Sequence, residues 1–383
     1  MRSPDLSVVV PTYREALNLR ELAGRLCAAF ASKGIDGEVV VVDDNSNDGT
    51  EELCAELAAV FPVRLFVRRT ERGLATAVIH GMRQAKGRVL VCMDADLSRP
   101  PESVPDLYRA VDRGECDIAI GSRYVAGGSV EEGWGLFRWL NSKVATSLAR
   151  GLTRVKDPMG GFFAIRREVF EGAPPLAPLG YKILLELLAK CPKARPKELP
   201  IEFKDRKFGE SKLNLKQQVL YLRHLRWLYQ FRYPVLSELF QYGLVGLSGL
   251  AVDLVAFSLL FRFFLVHHLL SRAISFVVAA TWNWAWNRRI TFEGARSRAR
   301  LPQWAAFLLV SAVGFLLNWG IYYLLTAHSA FFFSAKELAL VAGVVAGFAF
   351  NYLGARLLVF GRSLVSEGAP RPEAAPEPES APR

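Results

Sequence analysis

Long apolar runs dominate residues 239–360, whereas residues up to about 216 alternate apolar with charged segments. Such a shift marks a soluble domain followed by a membrane domain. Four runs approach the ~20 residues that cross ~30 Å of hydrocarbon: 236–261, 269–287, 304–325 and 338–359. The second is short and holds Arg272 and Asn283. Arg223, Arg226 and Arg232 precede the first run, Arg288, Arg289, Arg296, Arg298 and Arg300 separate the second from the third, and Arg362 follows the fourth. The opposite side has only Arg262, Arg272 and Lys336, so both termini are expected in the cytoplasm. Asp253, Asn283, Asn318 and Asn351 interrupt the apolar runs. Polar groups at that depth are costly and usually face other helices, which makes structural glue the first expectation for them.

In the first half, strand-like residues 6–10, 38–42, 63–67 and 89–93 alternate with helical apolar spacing over 15–31, 50–60 and 74–86. This order predicts an α/β fold, a mostly parallel sheet with helices on both faces, and ligands bind such sheets beyond the carboxyl ends of the strands. Those ends carry Pro11-Thr12-Tyr13-Arg14-Glu15, Asp43-Asp44-Asn45-Ser46 and Asp94-Ala95-Asp96. No glycine-rich dinucleotide or P-loop pattern follows any strand. Two further segments, 135–153 and 212–234, mix apolar and aromatic residues with Arg and Lys and read either as ordinary helices packed on the sheet or as helices in the membrane interface, the latter being favoured for the second because a span follows it. The expected domains are therefore a catalytic unit (1–215), an interfacial segment (216–235), a four-span membrane domain (236–362) and a disordered tail (363–383) rich in Pro, Glu and Ala.

The formal net charge is +11. In a chain with membrane spans this excess fits a membrane surface or phosphorylated substrates better than nucleic acid. Five scattered cysteines, none in a CxxC pair, read as thiols of a reducing compartment. With no signal peptide before the first strand, the soluble unit is expected in the cytoplasm, and the excess of arginine over lysine points to a GC-rich prokaryote.

Carboxylates on a sheet rim suit a hard divalent cation, Mg²⁺ or Mn²⁺. Alone, Asp-x-Asp most often marks a solvated turn. Here an apolar strand precedes it and Leu97-Ser98-Arg99-Pro100 follows, which favours a metal site. Arg206 and Lys212 flank Gly209-Glu210-Ser211 and read either as phosphate-binding cations or as a solvated turn. His80 is expected to pack, and His267 and His268 carry no assigned role.

The motifs at 10–15, 41–50 and 93–98, together with Gly73-Leu74-Ala75-Thr76, Gly121-Ser122-Arg123-Tyr124, Asp157-Pro158-Met159-Gly160-Gly161 and Phe203-Lys204-Asp205-Arg206-Lys207-Phe208-Gly209, resemble family 2 glycosyltransferases of the GT-A fold, and most of all the dolichol-phosphate mannose synthases. Gln241-Tyr242-Gly243 and Trp284-Ala285-Trp286-Asn287-Arg288-Arg289 resemble the GtrA-like four-helix domain fused to some of them. The resemblance implies that Pro11, Tyr13, Glu15, Val42 and Asp44 bind the nucleoside, and that Asp94, Ala95 and Asp96 meet the diphosphate. A metal would sit on Asp94, Asp96 and Ser98. Arg123, Arg206 and Lys212 would act in catalysis with Asp96, and Arg123, Arg138 and Ser142 would hold the lipid phosphate. GDP-mannose would then donate to a polyprenyl phosphate with inversion. A UDP-sugar such as UDP-glucose is the alternative donor. Processive synthases usually carry QxxRW, but Arg223-His224-Leu225-Arg226-Trp227 lacks the Gln.

Overall fold

A computed structural model describes residues 3–130, 136–177, 182–203, 215–292, 294 and 299–361. The described chain divides between Arg232 and Tyr233 into two compact units.

The first unit follows the expected alternation: β1 (Leu6–Thr12), α1 (Ala16–Lys33), β2 (Gly37–Asp43), α2 (Thr50–Ala58), β3 (Val63–Val67), α3 (Leu74–Gln84), β4 (Val89–Cys92), α4 (Val104–Asp112), β5 (Ile118–Ser122), β6 (Ser129–Val130), α5 (Leu136–Ala149), β7 (Phe163–Arg166), α6 (Arg167–Glu171), α7 (Ile183–Lys190), β8 (Pro196–Pro200), β9 (Glu202–Phe203) and α8 (Leu215–Arg232). Seven strands form one sheet in the order β3-β2-β1-β4-β7-β5-β8. Only β7 runs antiparallel to its neighbours, so the sheet is mixed and mostly parallel. Burial on both faces explains the run Val8-Val9-Val10 in the middle of β1. Val8 and Val10 pack with Leu19, Leu22 and Leu26 of α1, whereas Val9 packs on the other face with Val78 and Met82 of α3.

Helix α8 covers most of the segment expected at the membrane interface. One face packs within the first unit, where Leu225 and Leu228 meet Ala149, Leu152, Leu185 and Ala189. On the same side His224 and the pair Glu186–Lys190 are buried, and the Lys190 ammonium lies 4.1 Å from the Trp227 ring centre. Val219 and Leu222 remain exposed. The helix thus docks on the catalytic unit and still presents apolar residues outward, as an amphipathic segment must.

The second unit contains α9 (Pro234–Ser258), α10 (His268–Trp286), α11 (Arg300–His328), α12 (Ala330–Ser334) and α13 (Lys336–Gly354), with π-helical turns extending α9, α10 and α13. Among the described residues three helices are long and apolar enough to cross a membrane: Pro234–Phe263, Arg300–His328 and Lys336–Val359. The second expected span, α10, is a helix of 19 residues but less apolar, because it carries His268, Arg272 and Asn283. Leu244, Leu247, Leu254, Val341 and Val345 are exposed, an outward apolar surface that suits lipid rather than water. The expected tail (363–383) lies outside the described residues.

Candidate active site

The carboxyl ends of β1, β2 and β4 lie side by side in the sheet. Each turn that leaves them holds a non-glycine residue in the left-handed region: Arg14 (φ 60°), Asn45 (φ 55°) and Leu97 (φ 56°). Such conformations cost free energy and persist only where surrounding contacts fix them. Here the contacts can be named. Asp43 accepts from the Thr12 hydroxyl (2.9 Å) and the Ser46 amide (2.8 Å), and Ser46 Oγ accepts from the Arg14 amide (2.8 Å). Asp44 is buried, accepting from Arg68 Nε (2.8 Å) and the Gly73 amide (2.8 Å). The first and second turns are tied together, and Arg68 ties both to the start of α3.

Pro11 and Val42 are paired in the register of β1 and β2 and are buried at this end of the sheet, Val42 packing in the core under α3. Tyr13 stands above it with the guanidinium groups of Arg14 and Arg72 each 5.4 Å from its ring centre. Glu15 accepts from Asn18 Nδ2 at 2.8 Å.

The third turn brings Asp94, Ala95, Asp96 and Ser98 together at the end of β4. Asp96 is buried and accepts from Ser98 Oγ at 2.6 Å and Ser98 N at 3.1 Å. Asp94 is ion-paired with Arg99, whose side chain is 9% exposed. A Cβ on Gly161 would stand 3.2 Å from Asp94 Oδ2, so the chain passes close to this carboxylate and glycine leaves room for it. Among the described residues no group of three or more His, Cys, Asp or Glu surrounds one point. Two carboxylates and a hydroxyl fit a Mg²⁺-type ion nonetheless, since such ions take one or two carboxylates and complete their shell with substrate phosphates. That a guanidinium sits on Asp94 agrees with a site that attracts positive charge.

Arg123, at the end of β5, is held in a fork: Nε and Nη2 each donate at 2.8 Å to Asp157, whose side chain is 1% exposed. The Asp157 amide donates in turn to Glu198 at 3.0 Å. Bidentate pairing fixes the plane of a guanidinium as well as its position. Phe203 lies between two cations, its ring centre 5.3 Å from Arg123 and 5.6 Å from Arg99. Lys182, just before α7, feels both arginines together with Asp157 and Asp94. Burial first, then the charge of Arg123, lowers its ammonium from an ordinary 10.5 to about 8.

Asp94, Ala95, Asp96, Ser98 and Arg123 therefore sit on the rim with the nucleoside-binding candidates. Arg138 and Ser142 fall on α5, with side chains outside the described residues, as Arg206 and Lys212 are altogether. The sequence reading passed over Arg68, Arg99, Asp157 and Lys182 as site residues. Asp157 lies in a motif and Arg99 directly follows one, whereas Lys182 has no sequence signal. His80 packs edge-on against Phe66, as expected.

The glycosyl transferase family 2 model matches residues 7–172, and the GtrA/DPMS transmembrane domain model matches residues 241–360. The dolichol-phosphate mannosyltransferase of Pyrococcus furiosus is 38% identical over 356 residues, covering 91% of this chain and 97% of that protein. The enzyme of the same name from Mycosarcoma maydis is 43% identical over 62% of this chain and 83% of its own length. That of Saccharomyces cerevisiae is 42% identical over 60% and 89%.

Proposed function

Because the chain belongs to the dolichol-phosphate mannosyltransferases, with a family 2 glycosyl transferase domain joined to a GtrA/DPMS membrane domain, we propose that GDP-mannose is its donor and that a polyprenyl phosphate at the cytoplasmic membrane face is its acceptor. It is a membrane-bound glycosyltransferase that makes a polyprenyl-phosphate mannose. The observation that carries the site is the gathering of the cations Arg99, Arg123 and Lys182 around Asp94 beyond the strand ends.

In this reading Pro11, Tyr13, Glu15, Val42 and Asp44 form the nucleoside end of the site. Asp94, Asp96 and Ser98 would hold Mg²⁺ or Mn²⁺ against the diphosphate, where the bound ion would neutralise charge on the leaving group. Arg123, oriented by Asp157, meets phosphate oxygens as the glycosidic bond breaks, and Arg206 and Lys212 add positive charge there. Arg138 and Ser142 take the lipid phosphate. A phosphate monoester is largely dianionic near neutral pH, its second pKa being about 6. It needs no general base and attacks the anomeric carbon directly, with inversion. Alignment and charge stabilisation then make up the catalysis. The basic loops favour four spans with both termini in the cytoplasm.

The test supplies purified full-length protein with a polyprenyl phosphate, Mg²⁺ or Mn²⁺, and a panel of GDP- and UDP-sugars. GDP-mannose should give lipid-phosphate mannose and GDP. Product from a UDP-sugar alone would overturn the donor assignment.

A further inference from the structure

Arg14 and Arg72, the two guanidinium groups beside Tyr13, are both exposed. Neither side chain forms an ion pair or donates a hydrogen bond among the described residues. Elsewhere on the rim Arg68, Arg99 and Arg123 are each paired with an aspartate. The backbones of the two unpaired arginines are nevertheless fixed. Arg14 is left-handed, with its amide on Ser46 Oγ at 2.8 Å. Arg72 precedes Gly73, whose φ of 144° is a conformation for glycine. The Gly73 amide donates to Asp44 Oδ2 at 2.8 Å, and its carbonyl accepts from Arg68 Nη2 at 3.0 Å. A buried ion pair thus clips Arg72 to the nucleoside-binding carboxylate, one residue away.

Each guanidinium brings five N–H donors and no acceptor. A cation–π contact within ~6 Å restrains such a group and leaves its donors for a ligand. Acceptors are scarce on the same part of the rim. Asp44 Oδ1 takes both Nε and Nη2 of Arg68, Oδ2 takes the Gly73 amide, and the side chain is 8% exposed. A nucleobase that reaches Tyr13 therefore meets many donors and little acceptor capacity.

In the sheet, β1 and β2 follow one another on one side of β4. With the phosphates at Asp94 and Asp96, as proposed above, the nucleoside extends toward Tyr13 and Asp44. The phosphates have their own cations in Arg99, Arg123 and Lys182, which leaves Arg14 and Arg72 to the base. Guanine presents two neighbouring acceptors, O6 and N7, which an arginine fork meets with two hydrogen bonds. Adenine sets an amino donor beside N7, and a pyrimidine such as uracil offers a single acceptor, O4, on that edge. We propose that Arg72, with Arg14 beside it, selects the donor by bidentate donation to O6 and N7 of guanine, and so determines which nucleotide sugar is used. The inference rests on the GDP-mannose reading and deepens it, by naming the side chains that choose that donor.

The experiment measures binding of GDP, 7-deaza-GDP and UDP to full-length protein by calorimetry in the presence of Mg²⁺. Wild type should bind GDP about tenfold or more tightly than either of the others, as a bidentate base contact implies. Arg72→Ala should lose that factor for GDP, bind UDP as wild type does, and no longer distinguish GDP from 7-deaza-GDP. In transfer assays the loss should appear as a raised KM for GDP-mannose with kcat little changed, because the base contact is the same in ground and transition states. Equal weakening of GDP and UDP in Arg72→Ala would assign the residue to the diphosphate and overturn the proposal. So would a full preference for GDP in the variant, or equal binding of GDP and 7-deaza-GDP by wild type. Those results would leave the donor reading intact if wild type still transfers mannose from GDP-mannose. Transfer from UDP-sugars alone would overturn both.

Discussion

Replacing Arg99 by alanine should strengthen metal binding, although it removes a buried side chain from the active site. Arg99 is paired with Asp94, and the two side chains are 9% and 26% exposed. An ion that uses Asp94 must first displace this guanidinium, so its apparent affinity is lowered by the strength of the pair. Two unit charges ~4 Å apart at an effective dielectric of ~20 attract by about 4 kcal/mol. Partial exposure of Asp94 and the entropy of ordering both chains cut the net value, which lies between that of a surface pair and a buried one, at about 1–3 kcal/mol. A coupling of about 1–3 kcal/mol corresponds to roughly 5–150-fold in affinity. The assay is a titration of free Mn²⁺ by electron paramagnetic resonance, on full-length protein without donor, so catalysis plays no part. Arg99→Ala should bind Mn²⁺ at least about fivefold more tightly than wild type. Equal or weaker binding would refute the reasoning, because it would mean that Arg99 and the ion do not compete for Asp94.

Lys182 should set an alkaline limit on transfer. Its ammonium is lowered to about 8, so the charge is lost as pH rises through about 8, and the rate should fall there in a pH profile. Lys182→Arg, which stays protonated, should move that limb upward. The linkage has the opposite sign: between about 8 and 10.5 the unfolded chain binds more protons at this residue than the folded one, so its contribution to stability improves with rising pH, which melting at several pH values would register. Asp157→Ala strands the Arg123 guanidinium and should cost about 3–5 kcal/mol in unfolding experiments. Asp157→Asn should retain more stability yet still lower kcat, because the fork that orients Arg123 is broken.

Much of the first unit could be read from spacing alone. Unbroken valine runs fill the middle of β1 (Val8 to Val10) and β2 (Val39 to Val42), which pointed to a sheet buried on both faces and so to the rim where ligands lie. The strand ends named Asp44, Asp94 and Asp96 directly, since loops at those ends are where such sheets bind. Arg68 and Lys182 stayed hidden because they reach the site from the end of β3 and the approach to α7, and only tertiary packing brings them near. Arg99 was in plain view, but no pattern of residues reveals that a cation next to a carboxylate pair will fold back onto it. In the membrane unit, hydropathy located the helices, while α10 blurred because Arg272 and Asn283 dilute its apolar run. The four polar residues were visible as interruptions. That Asn283, Asn318 and Asn351 settle against Gly249, Gly343 and Gly314 of neighbouring helices depends on helix pairing, which is not written in a single sequence.

The most direct test of the central claim compares wild type with Asp96→Ala in one assay of lipid-phosphate mannose formation from GDP-mannose. Wild type should form the product in the presence of Mg²⁺ or Mn²⁺ and lose it on chelation, while Asp96→Ala, folded and membrane-bound, should form essentially none. Near-normal turnover in Asp96→Ala would contradict the account, because a buried carboxylate at the end of β4 would then have no part in holding the donor.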